Sequence, residues 1–143
     1  MTSNLFQRVL LPVASEDDAR ATCSVARPYL QRADGVAIGA HVVKHNEGAI
    51  GAAPIDARAE DSEHILGRVR NDLGNRVAET RTVYGPDITT AIFETAADTD
   101  ASAIVFTPRG GSRWVRLLTG DVADSLVTNA ELPVIVLPDE REG

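Results

Sequence analysis

RVLLPVASEDDARA, residues 8–21, changes character in its middle. Its first part, 8–14, is a short and nearly continuous apolar run, the pattern of a strand covered on both faces. Ser15 or an aspartate after it then offers a helix cap, and Glu16, Asp17 and Asp18 suit the positive first turn of a helix. Ala19, Cys23, Ala26 and Leu30 follow at helical spacing, which predicts a helix over 17–32 with Pro28 placed to kink or tighten its last turn. A strand leading straight into a helix is the unit from which wound α/β sheets are built.

Outward from this unit the alternation continues. VAIGAHVV, 36–43, reads as a second covered strand, and KHNEGAIGAAPID, with its glycines and proline, as a flexible surface loop. Ile65, Leu66, Val69 and Leu73 share one helical stripe between Ala57 and Leu73, stopped by Gly74 and Asn75. RVAETRTV, 76–83, alternates polar and apolar as a half-exposed edge strand does, and Pro86 with Asp87 opens a third helix that ends near Asp98. SAIVFT, 102–107, is a fourth strand, a further helix runs from about Asp121 to Asn129, and LPVIVLP, 132–138, is a fifth strand. No hairpin signal joins any two strands, so right-handed crossovers and a mostly parallel sheet between helices are expected.

Length and composition bound what such a chain does. Its 143 residues fit one domain spanning 1–143, and apolar and charged fractions of 43% and 24% are ordinary for a globular protein. A net charge of −7 argues against nucleic-acid binding, because phosphate neutralisation needs a basic face. No apolar run approaches the ~18 residues of a membrane span and no leader pattern opens the chain, which points to the cytoplasm. Cys23, the single cysteine, has no internal disulfide partner and reads as a packing residue. Of the 14 basic residues only Lys44 is lysine, a composition of salt-adapted or GC-rich hosts that concerns solubility and not chemistry.

In open parallel sheets ligands bind outside the carboxyl ends of the strands, here expected at Ala14, Val43 and Thr107. Onto that rim comes TPRGGSRWVRLLTGD, 107–121, with Gly110, Gly111 and Gly120, the arginines Arg109, Arg113 and Arg116, and Asp121 at its close. The opening strand with its proline, the Gly85-Pro86-Asp87 helix start, the Gly110 and Gly120 spacing and the closing 133–138 run together resemble the universal stress protein family over nearly the whole length. The resemblance implies a five-stranded parallel open sheet in the order 3-2-1-4-5 with helices on both faces, of the adenine nucleotide alpha hydrolase-like kind. It implies dimers through the fifth strand, here Val134 to Leu137, whose bare apolar edge would otherwise invite aggregation. It also implies a nucleotide rim of Pro12, Val13, Ala14, Val42, Thr107, Arg109, Gly110, Gly111, Ser112, Gly120, Asp121 and Val122, with no cofactor assigned and ATP with Mg²⁺ as the candidate.

Three positions depart from the nucleotide-binding pattern of that family. Where those members carry a first glycine this chain has Thr107, stiff at its first torsion; where they carry serine or threonine after the last glycine it has Asp121; and where strand one ends on an aspartate that meets adenosine it has Ala14. An adenosine donor left unsatisfied beside Ala14 costs about 1–3 kcal/mol. A carboxylate at a helix start takes the N–H groups a phosphate would use and repels it by roughly 1–4 kcal/mol. The expectation is a dimeric binding or regulatory module without established catalysis, working with a second copy or another protein partner, with a degenerate ATP loop. The alternatives are an Mg-dependent ATP binder or weak nucleotide hydrolase, with Asp121 or Asp124 on the metal, and a module that senses no nucleotide.

The remaining chemistry-bearing residues read more plainly as structure. Ser15 lacks the glycine elbow of a nucleophile and is expected to cap a helix. His41, His45 and His64 have no metal-ligand spacing, and Trp114 reads as a packing or interface anchor.

Overall fold

The computed structural model describes residues 4–44, 55–107 and 123–137, with side chains for 4–43, 60–107 and 125–137. Five strands, β1 (Arg8–Val13), β2 (Val36–Lys44), β3 (Val77–Gly85), β4 (Ala103–Phe106) and β5 (Val134–Val136), form one parallel sheet in the order β3-β2-β1-β4-β5. Among the described residues four helices accompany them, α1 (Glu16–Ala33), α2 (Ile55–Leu73), α3 (Ile88–Asp98) and α4 (Ala123–Thr128), and a short 3-10 turn (Gly74–Arg76) precedes β3. The order expected from the resemblance is the order found.

The alternation of side chains along β1 divides the core in two. Val9, Leu11 and Val13 point to one face, where they meet Ala19, Cys23, Ala26 and Leu30 of α1 and Ile65, Leu66 and Val69 of α2. Leu10 points to the other, with Ile38, Ile92 of α3, Ile104, Phe106 and Leu126 of α4. Val9, Leu10, Leu11 and Val13 are all fully buried, which explains why the strand reads as a continuous apolar run; each such side chain contributes about 1.5–3 kcal/mol.

The ends of α1 follow from its sequence. Ser15, in extended conformation, caps the helix by accepting the Asp18 N–H at 3.0 Å. Pro28 neither ends the helix nor sits in its last turn: α1 runs on to Ala33 and closes at Asp34 in the left-handed region. The next residue must be glycine, because a Cβ on Gly35 would lie 1.8 Å from the Phe6 carbonyl oxygen. Asp87 caps α3 by accepting the Thr90 N–H at 3.0 Å, so the Pro-Asp helix start is borne out.

The two edges of the sheet differ. On β3, Arg81 and Glu79 pair at 2.5 Å, with Arg8 3.7 Å from Glu79, a charged border that disfavours strand addition. On β5, Val136 is 48% exposed, while Leu137 is buried in the α1-side core with its N–H on the Phe106 carbonyl. The apolar edge expected over Val134 to Leu137 is therefore limited to Val134–Val136, because Leu137 packs inward. Helix α2 begins at Ile55, ahead of the expected Ala57, so the expected loop keeps only its part before that residue; residues 45–54 of it lie outside the described residues.

Candidate functional site

The chain leaves β1 for β2 on one side and reaches β4 on the other, so the strand order reverses between β1 and β4. That is where ligands of open α/β sheets bind. Pro12, Val13 and Ala14 end β1, Thr107 ends β4, and Val42 lies near the end of β2 beside them. The structure thus gathers the expected β1 and β4 residues at one rim. Val13 and Val42 are wall rather than contact surface: Val13 is fully buried on the α1 side, and Val42 is buried on the α3 side.

Among the described residues, the Thr107 hydroxyl and the Ala14 N–H at this rim are bonded within the protein. Thr107, only 1% exposed, meets Thr22 of α1, which is fully buried, at 2.7 Å between hydroxyl oxygens. This is a pairing across 85 residues of sequence. Thr107 thus turns its side chain under the rim and ties β4 to α1. The Ala14 N–H donates to Asp18 Oδ2 at 2.9 Å, while the Asp18 N–H donates to Ser15 Oγ. Side chain and backbone exchange bonds as in a capping box, with the acid reaching one residue further back than Ser15. Asp18, 2% exposed, is a buried acid one turn into α1, directly beneath the strand end.

Neither Thr22 nor Asp18 figures among the site residues read from the sequence. Asp18 had a local signal, an acid three residues after a capping serine. Thr22 had none, since its partner lies in a different strand–helix unit. Arg109, Gly110, Gly111, Ser112, Gly120, Asp121 and Val122 lie outside the described residues, as do Arg113, Trp114 and Arg116.

A second buried hydroxyl sits where β2 meets α2. Ser62, 1% exposed, lies 2.5 Å from Nδ1 of the half-buried His41. Burial pushes the His41 imidazole below its ordinary 6.5, opposed by the smaller pull of Asp61. Cys23, in the α1-side core, has its thiol pushed up to about 12, chiefly by burial and then by Asp72. It is therefore a neutral thiol at physiological pH and fills space, as expected. Among the described residues no three His, Cys, Asp or Glu side chains group to hold a metal ion, and no helix is long and apolar enough to cross a membrane.

Among solved structures, a universal stress protein family member from Burkholderia pseudomallei superposes with a TM-score of 0.74 at 22% identity, over 96% of this chain and 99% of its own. A universal stress protein in complex with cAMP gives 0.63 at 20%, over 95% and 99%. The Archaeoglobus fulgidus universal stress protein in complex with dAMP gives 0.63 at 21%, over 92% and 98%. These likenesses establish the fold. Comparison with curated proteins gives no match. The pattern of the universal stress protein family spans residues 5–138, and with the sheet order, the crossovers and the rim in place, the chain belongs to that family.

Proposed function

We propose that this chain is a dimeric binding or regulatory module of the stress response, at work in the cytoplasm, whose nucleotide rim has been converted into internal structure. One observation carries the reading: the buried Thr22–Thr107 hydroxyl pair at the position where nucleotide-binding relatives place a glycine. Glycine there leaves backbone open to close approach by a ligand. Threonine there carries a side chain whose hydroxyl is spent on α1. Asp18 works in the same sense, because it occupies the Ala14 N–H, a donor at the end of β1. Repulsion between an acid at this rim and a phosphate group adds to the cost of binding. For the dimer, the support is the contrast between the exposed Val136 on β5 and the charged border of β3.

The second reading, an Mg-dependent ATP binder or weak hydrolase, draws its support from the two structural relatives held with cAMP and dAMP. Thermal unfolding with and without excess Mg²⁺ and ATP, read beside ADP formation, separates the two. A ligand at ~100 times its dissociation constant raises stability by about 2.7 kcal/mol. An unchanged midpoint supports the converted rim; a raised midpoint without ADP overturns it in favour of a binder, and a raised midpoint with ADP in favour of a hydrolase.

A further inference from the structure

The corner between α1 and β2, at the opposite end of the sheet from the rim, holds the one Asp-Gly pair of the sequence, Asp34–Gly35. Such a pair is chemically labile, because the nitrogen of a glycine, which carries no side chain, is the least hindered to attack the carboxyl carbon before it. Asp34 presents that carboxyl to water, with its side chain 93% exposed. Its backbone, however, is left-handed at φ 54° and ψ 41°, and tetrahedral geometry at Cα then turns Cβ nearly anti to the Gly35 nitrogen. Ring closure needs the two eclipsed, so the native corner sits far from the reactive conformation.

Hydrogen bonds hold the corner there. The Gly35 N–H, the nitrogen that would attack, donates to the Leu30 carbonyl at 2.9 Å, and the Asp34 N–H donates to Gln31 at 3.3 Å. Arg76 spans the labile peptide from outside, donating to Asp34 Oδ1 at 3.0 Å and to the Gly35 carbonyl at 3.1 Å. Gly35 is also confined from the β1 side, where an added Cβ would meet the Phe6 carbonyl oxygen at 1.8 Å, and the Val36 N–H that follows donates to Gln7 at 2.9 Å.

We propose that Asp34–Gly35 is a latent isoaspartate site: the closed corner, with Arg76 as its clamp, suppresses the rearrangement, and a rearranged chain can no longer close the corner.

The reaction needs only water. The Gly35 nitrogen forms a bond to Asp34 Cγ and gives up its proton while a carboxyl oxygen leaves as water, which closes a five-membered imide. Water then adds to the former main-chain carbonyl and breaks its bond to the nitrogen, so the chain runs on through the side chain and the old carbonyl becomes a free carboxylate. The main chain is longer by one methylene immediately before Gly35, whose place between the Leu30 and Phe6 carbonyls leaves no slack for it.

Incubation of the full chain at 37 °C and pH 7.4, followed by peptide mapping with a fragmentation method that separates isoaspartate from aspartate, reads the site. In the wild-type protein the urea-unfolded chain should form isoaspartate at residue 34 at least about tenfold faster than the native chain, a comparison that needs no variant. Native Arg76→Ala should form it about threefold or more faster than native wild type. In the isolated isoaspartyl protein the Val36 amide, bonded to Gln7 in the closed corner, should lose about tenfold or more of its hydrogen-exchange protection relative to the amides of α3. Equal rates in native and unfolded chains, a wild-type rate in Arg76→Ala, or unchanged protection of Val36 each overturn the proposal. None of these readouts involves nucleotide.

Discussion

Two junctions at the carboxyl end of the sheet solve the same packing problem with different chemistry. Where β1 and β4 meet α1, a buried threonine hydroxyl bonds a second threonine and a buried acid bonds a backbone amide. Where β2 meets α2, a buried serine hydroxyl bonds an imidazole. In both, a polar group on the inward face of a helix finds its partner in the sheet or at its end, as burial demands. The hydroxyl pair holds no group that titrates near neutrality, whereas the second junction holds a histidine whose ring burial pushes below its ordinary 6.5. The difference teaches that equally buried hydroxyls can be served by partners of different chemistry, one a second hydroxyl and the other a titratable ring.

The largest expected effect falls on the first junction. Asp18→Ala removes the acceptor of the Ala14 N–H beneath a fully buried strand end, and denaturant unfolding should show a loss of about 2–3 kcal/mol. Asp18→Asn, which keeps an acceptor, should lose less. A loss for Asp18→Ala no greater than that of an exposed helical substitution would remove this acid from the account of the rim.

Next come the threonines. Thr22→Val and Thr107→Val, each leaving one hydroxyl stranded, should each cost about 1–3 kcal/mol, whereas the double variant should cost less than their sum by roughly 1 kcal/mol. Strict additivity in the double-mutant cycle would show that the two hydroxyls do not depend on each other.

The second junction should respond to pH instead. His41 is depressed in the folded protein, so the unfolded chain binds more protons below pH 6.5. The stability it contributes is complete above that value and is lost as the pH falls toward the lower folded value. His41→Gln should flatten this part of the stability curve. For Cys23 the sign reverses: with the folded thiol at about 12 against 9.0, its contribution is complete below pH 9.0 and is lost as pH rises toward 12. At neutral pH the thiol should react with a disulfide reagent only as fast as the protein opens. A rapid native-state reaction would contradict its burial.

How much of this was legible in the sequence follows from where the determining contacts lie. Strands buried on both faces betray themselves as apolar runs, so 8–14, 36–43 and 102–107 located β1, β2 and β4 to within a residue or so. Ser15 and Asp87 were legible as caps because capping is local. The end of α1 was legible to within a residue, but its cause was not: the helix carries Pro28 on its exposed side and ends where Asp34 turns left-handed and Gly35 passes the Phe6 carbonyl. At the site, Ala14 and Thr107 were placed by the strand ends that carry them. Thr22 and Ser62 were not, because their partners lie 85 and 21 residues away and no periodicity records a bond between layers. Leu137 was assigned to the open edge since a strand's alternation does not say which face is covered.

A calorimetric titration of Mg²⁺ and ATP into the wild-type protein and into the Ala14→Asp, Asp121→Ser double variant decides whether the rim has been given over to internal structure. The wild type should bind more weakly than about 1 mM, and the variant at least about tenfold more tightly. Micromolar binding by the wild type, or the same affinity in both proteins, would contradict it.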